Sequence, residues 1–151
     1  MMTALAEYRL LPGTRTAVDY LRDAGYELAL ITGAFDILAA RVAADLSITH
    51  AAGCATVVFD EHGVLQTIET SGDEPAAKAA KLRDLCARLG ISPGQCACIG
   101  DGINDLDLFR ETGHGIALRG TPVEHDAWQV IDSLHDIPRI FSTQKAAPEV
   151  R

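Results

Sequence analysis

Positive charge is scarce in this chain. Lysine and arginine number 13 against 21 aspartates and glutamates, for a formal net charge of -8. A nucleic-acid or anionic-membrane surface needs a basic footprint, so this balance argues against both partners. Long apolar runs are missing too. None reaches the length of a membrane span, and no basic region leads into an apolar stretch at the N-terminus. The expected location is the cytoplasm. Cys54, Cys86, Cys96 and Cys98 have no second Cys or His pair at ligand spacing, and His50, His62, His114, His125 and His135 are scattered. That disfavours a zinc centre, and the cysteines read as buried thiols. A metal or redox role for the Cys96-x-Cys98 pair stays open. Repeats and internal linkers are absent.

What is present suits one domain. The chain has 151 residues, 48% hydrophobic and 23% charged, enough to bury a real core. The spacing predicts a helix after Pro12-Gly13, with Ala17, Val18, Leu21 and Ala24 on one face and Gly25 at its end. Leu28 to Ile31 is a continuous apolar run, as in a strand covered on both faces, and it ends in Thr32-Gly33. A helix follows, with Phe35, Leu38, Ala39, Val42 and Leu46 at helical spacing. Ala55 to Thr70 reads as a β-hairpin around Asp60-Glu61-His62-Gly63. Pro75 opens a long helix that ends at Gly90. Cys96 to Ile99 is a strand, Ile103 to Thr112 a helix, and Gly115 to Leu118 a strand. A brief helix and a strand near Gln129 to Ile131 end the patterned part. The expected division is a core over 1–141 and a frayed tail over 142–151.

Strands alternating with helices imply an α/β fold, a Rossmann-like three-layer parallel sheet with helices on both faces. Ligands of such sheets bind beyond the carboxyl ends of the strands. Thr32-Gly33 and Gly100-Asp101 both hold that position and should face one crevice.

Three elements there carry chemistry. The first is Gly100-Asp101-Gly102-Ile103-Asn104-Asp105. Asp101 follows a strand, where a carboxylate can reach a hard cation beside a phosphate, and Mg²⁺ suits oxygen ligands. Asp105 lies one helical turn on, for a direct or supporting role, and Asn104 can donate to a phosphate oxygen. The plain alternative is a helix start decorated with acidic caps. The second is Thr32-Gly33, a hydroxyl and free amides suited to an anion at a helix start, or a simple cap. The third is Lys78. It lies four residues before Leu82 and seven before Leu85, inside the apolar stripe of Leu82, Leu85, Cys86 and Leu89. An inward ammonium needs an anionic partner, or else snorkels to water. Phe35 and His114 are candidates to border a ligand, though packing accounts for both.

In this order, Thr-Gly, Lys and Gly-Asp-x-x-x-Asp, the chain resembles the haloacid dehalogenase superfamily, in its phosphoserine phosphatase-like branch. The resemblance runs from about Leu11 to Ile131. It includes Leu11-Pro12-Gly13, Leu30 to Asp36, the lysine helix, Ile99 to Asp105 and Gly115-Ile116-Ala117. It implies a Mg²⁺-dependent phosphomonoester hydrolase acting on a small phosphorylated metabolite. By the same resemblance Thr32, Gly33, Lys78 and Asn104 hold the phosphoryl group, and Asp101 with Asp105 attends the metal. Lys78, Asp101 and Asp105 are then the catalytic candidates. The family often has glycine where this chain has Ala34.

Family members open with a strand bearing Asp-x-Asp-x-Thr/Ser, whose first aspartate attacks phosphorus, followed by a substrate-reading cap. This sequence has no such stretch. Val57 to Gly63 is its one look-alike, and with His62 and Val64 at the critical positions it reads as a turn. The expectation is therefore a haloacid dehalogenase-like core without its central strand and cap. Direct pairing of the flanking strands, a surrogate strand from Leu5 to Leu11, or a second chain (a homo-oligomer included) would fill the place. Two further functions follow: a non-catalytic phosphate- and metal-binding or regulatory module, and a truncated gene product.

Overall fold

A computed structural model describes residues 8–144. In chain order the elements are α1 (Thr14–Asp23), β1 (Ala29–Phe35), α2 (Asp36–Leu46), β2 (His50–Phe59), β3 (Leu65–Thr70), α3 (Glu74–Leu89), β4 (Cys98–Gly100), α4 (Leu106–Thr112), β5 (Gly115–Leu118), β6 (Gln129–Ile131) and α5 (Ile137–Gln144). The fold is the expected α/β architecture of parallel strands and helices, with an antiparallel hairpin added.

The strands form two groups of three. β1 runs parallel to β2, and β2 pairs antiparallel with β3. β4, β5 and β6 are parallel throughout. Among the described residues β1 and β4 are not hydrogen-bonded to each other. Of the Leu5 to Leu11 segment, residues 5–7 lie outside the described residues and residues 8–11 form no strand.

Helices cover both faces of the second sheet, because side chains alternate along β5. Ile116 points into a cluster with Ala17 and Leu21 of α1, Ile131 of β6, and Ile137 and Phe141 of α5. Ala117 points the other way, against Phe109 of α4 and Val123. Ile116, Ile131, Ile137 and Val123 are the largest fully buried side chains. Truncating a buried isoleucine to alanine costs about 2–5 kcal/mol, so this cluster is a main source of stability.

α3 joins the two sheets. Asp73 caps its start by accepting from the Ala76 amide at 3.1 Å, and Gly90, at φ +69°, closes its end. Its buried Leu82 and Cys86 pack against Leu108 of α4, Ile31 of β1 and Cys98 of β4. Lys78 lies on the same stripe, 6% exposed, while Lys81, Asp84 and Arg88 face solvent. Leu89, expected on the stripe, is 37% exposed.

Four boundaries differ from the sequence reading. β2 begins at His50, not Ala55, and its first half pairs with β1. Small residues there weaken the strand signal, but Gly53 must stay small, since a Cβ on it would lie 2.3 Å from the Asp36 amide nitrogen. β1 runs on through Thr32-Gly33 to Phe35 with a register slip, so this pair is an irregular strand end and not the start of a helix. β4 starts at Cys98, later than expected. α5 lies beyond the last element expected at Ile131. It takes in residues 142–144 of the expected tail, and the remainder of that tail lies outside the described residues.

Candidate functional site

The site grows from the turn after β4. Asp105 ends a short 3-10 turn, Ile103–Asp105, and folds its carboxylate back over that turn. Its Oδ2 accepts from the amides of Asp101 (3.1 Å) and Gly102 (3.2 Å). Gly100 makes this possible, because a Cβ there would sit 2.6 Å from the Asp105 carboxyl carbon. Its Oδ1 accepts from Lys78 Nζ at 2.8 Å, with 7% and 9% of the two side chains exposed. The inward lysine therefore has a buried anionic partner, and the ion pair ties α3 to the acidic turn. Both oxygens of Asp105 are thus engaged by protein donors. Asp105 therefore holds Lys78 and the turn in this arrangement.

Asp101 differs. It is exposed, and among the described residues its carboxylate makes no ion pair or hydrogen bond. Among the described residues no three His, Cys, Asp or Glu side chains come together as a metal-holding group. Mg²⁺ takes one or two carboxylates and fills the rest of its octahedron with water and substrate phosphate. One unpaired carboxylate at the end of β4 fits that habit.

Glu74, the first residue of α3, was not a sequence candidate, yet it meets three of them. Its Oε1 accepts from Asn104 Nδ2. The same oxygen lies 3.8 Å from Lys78 Nζ. It also fills the space beside Gly33, 1.7 Å from where a Cβ would stand. One carboxylate oxygen therefore marks the point where β1, α3 and the acidic turn converge. The signal in the sequence was its i,i+4 spacing to Lys78, hidden because an acid in a helix's first turn is ordinary.

The remaining candidates are placed as follows. Thr32 Oγ1 accepts from the Ala34 amide at 3.1 Å, which helps bend the strand end and leaves the hydroxyl proton free to donate. Phe35 is the residue before α2, and His114 packs edge-on against Trp128 at 5.3 Å. All four cysteines are free, with Cys86 and Cys96 sulfurs 3.6 Å apart. Burial pushes the Cys98 thiol up to about 12, reinforced by the Asp105 charge and opposed by Lys78. Cys98 is thus a neutral thiol behind the site and no nucleophile. A separate cleft between β2 and α3 is lined by residues that include Asp36, Gly53, Lys81 and Arg88, and by none of the candidates.

A family model for haloacid dehalogenase-like hydrolases matches residues 1–113. The chain belongs to that family. Curated relatives within it include phosphoserine phosphatases. The chain is 34% identical over 124 residues to the enzyme of Streptomyces coelicolor, covering 81% of this chain and 30% of that protein. It is 36% identical over 112 residues to that of Albidiferax ferrireducens, covering 71% of this chain and 46% of that protein. The chain thus spans less than half of these two relatives. Among solved structures, a haloacid dehalogenase family hydrolase from Salmonella enterica serovar Typhi superposes with a TM-score of 0.76 at 30% identity, covering 87% of this chain and 45% of that one. A substrate-bound phosphoserine phosphatase superposes at 0.77 and 23% identity, covering 94% and 67% of the two chains, a likeness of fold. No helix among the described residues of this haloacid dehalogenase-like chain is long and apolar enough to cross a membrane.

Proposed function

We propose that this chain supplies the phosphate- and Mg²⁺-holding part of a phosphomonoester hydrolase acting on a small phosphorylated metabolite. The observation that carries the reading is the Glu74 carboxylate, an anionic oxygen gathered by Lys78, Asn104 and the strand end at Gly33. A phosphoryl oxygen has the same charge sign and the same appetite for donors.

Lys78 keeps its ammonium fixed on Asp105 and turns remaining donors toward the phosphoryl group. The Thr32 hydroxyl and the amides around Gly33 donate to its other oxygens, and the Asn104 amide donates to it as well. Asp101 is the residue that would hold Mg²⁺, which when bound offsets phosphate charge. Asp105 acts through its neighbours, as a positioning residue. Catalysis in this arrangement is mostly orientation and charge neutralisation. The attacking carboxylate is assigned to a further parallel strand pairing with the edges of β1 and β4, carried by the same polypeptide or by a second one.

A second reading, phosphate binding without turnover, draws on one observation: both Asp105 oxygens are engaged, so this buried carboxylate is not a spare nucleophile. Phosphate release from a panel of small phosphomonoesters, with Mg²⁺ and with chelator, separates the two. Chelator-sensitive release that disappears in Asp101→Ala supports hydrolysis. Binding of inorganic phosphate without release, by this chain alone and when mixed with a polypeptide carrying the further strand, supports the second reading, and neither binding nor release refutes both.

A further inference from the structure

We infer that Glu74 is a built-in competitor of the phosphoryl ligand, a side chain that occupies the anion position and swings out when a phosphate enters. The inference deepens the reading above and rests on it.

Two carboxylates face Lys78, and they are not equivalent. Asp105 is buried, 2.8 Å from Nζ, and pinned by two backbone amides. Glu74 is 3.8 Å from Nζ, its side chain is 43% exposed, and its carboxylate accepts a hydrogen bond from one side chain, Asn104. Departure of Glu74 leaves Lys78 with its permanent partner, so no buried charge is stranded. Departure also costs Glu74 little, since water is already within reach of its carboxylate.

The contact is mutually exclusive with a ligand at the same point. Glu74 Oε1 fills the space beside Gly33 so closely that a single added carbon would overlap it. A phosphoryl oxygen seated there has the same need for Asn104 Nδ2 and for Lys78. Leaving Glu74 in place beside a phosphate would set two like charges against each other in a half-buried site. Glu74 has a nearby alternative as the first residue of a helix, where an acidic side chain turned to solvent still complements the helix dipole. The result is a pocket that keeps its donors satisfied and its lysine neutralised when empty, and admits only ligands that outbid a monoanion, such as a phosphate dianion.

The test is a titration of the full chain with inorganic phosphate, in the presence of Mg²⁺, read by calorimetry and by the amide resonances of Gly33 and Asn104. Glu74→Gln keeps the size and an acceptor for Asn104 but removes the charge. It should bind phosphate roughly three- to tenfold more tightly, the scale of one half-exposed charge. Gly33→Ala places a methyl where Oε1 rests and should weaken phosphate binding, and Gly33 has no left-handed φ that would forbid alanine. Phosphate bound by Glu74→Gln no better than by the parent chain, while Gly33→Ala loses it, overturns the competitor role and leaves the anion site standing. Unchanged binding in Gly33→Ala overturns the anion site itself. Binding by neither the parent chain nor Glu74→Gln overturns both. In the parent chain, the Asn104 side-chain amide should shift as phosphate replaces Glu74, and a static signal under saturating phosphate counts against the exchange.

Discussion

Replacing Lys78 with methionine gives the most demanding test of the site's internal geometry. Methionine keeps most of the stem's bulk along the α3 stripe and removes the ammonium. Asp105 then stays under α3, with 9% of its side chain exposed and its partner at 2.8 Å gone. Breaking a buried ion pair from one side costs about 3–5 kcal/mol, because the remaining charge is stranded. Two backbone amides still donate to the other Asp105 oxygen, which sets the expectation at the lower end, about 3 kcal/mol. The reverse change, Asp105→Asn, should cost less, about 1–2 kcal/mol, since asparagine keeps an acceptor and Lys78 has Glu74 in reach at 3.8 Å. Equilibrium urea unfolding at pH 7, followed by circular dichroism, measures both single variants and the double variant. The double variant should be far less destabilised than the sum of the singles, with a coupling of about 1–3 kcal/mol. A loss below about 1 kcal/mol for Lys78→Met, or strict additivity, would mean that this ammonium is not held by Asp105.

Other consequences are as direct. Gly100→Ala should cost roughly 1–3 kcal/mol, because its Cβ would meet the Asp105 carboxyl carbon at 2.6 Å and push it off Lys78; a thermal melt reads the loss. Asp101→Ala should leave stability within about 0.5 kcal/mol, since its exposed carboxylate has no partner to lose among the described residues, and a melt unchanged beside lost phosphate release separates chemistry from folding. The Cys98 thiol, pushed up to about 12, holds its proton more tightly folded than unfolded. Its contribution to stability is complete below an unfolded thiol value of about 8.5 and falls as pH rises toward the folded value, by up to about 1.4 kcal/mol per pH unit. Urea midpoints at pH 7 and pH 10 should therefore diverge, and Cys98→Ala should narrow the divergence. Arg83→Ala removes an ion pair to Glu111 whose arginine is half exposed, and should change the urea midpoint by no more than about 1 kcal/mol equivalent.

Much of this was legible in the sequence, for identifiable reasons. Leu82, Leu85 and Cys86 repeat at helical spacing, and Lys78, a cation among them, had to find an anion. The Asp60 to Gly63 turn was readable because its residues have local jobs: Asp60 accepts from the amides of His62 and Val64, and Gly63 takes φ +76°. The hidden parts depend on contacts between distant segments. β2 starts among small residues whose strand character comes from pairing with β1. Thr32-Gly33 looks like a helix cap but is drawn into the strand by the same pairing. α5 has Ile137, Ile140 and Phe141 at helical spacing, so its signal was present, and its docking on Ile116 and Ile131 was not. Glu74 was invisible as a site residue because its first-turn position already explained it.

α3 is a long helix whose packing reaches both strand groups, through Ile31 on one side and Cys98 on the other. Its first turn bears Glu74 and Lys78. The groups that meet at the Glu74 carboxylate, Gly33 of β1 and Asn104 after β4, come from both strand groups. One helix thus holds in register a site whose walls belong to two separate strand groups.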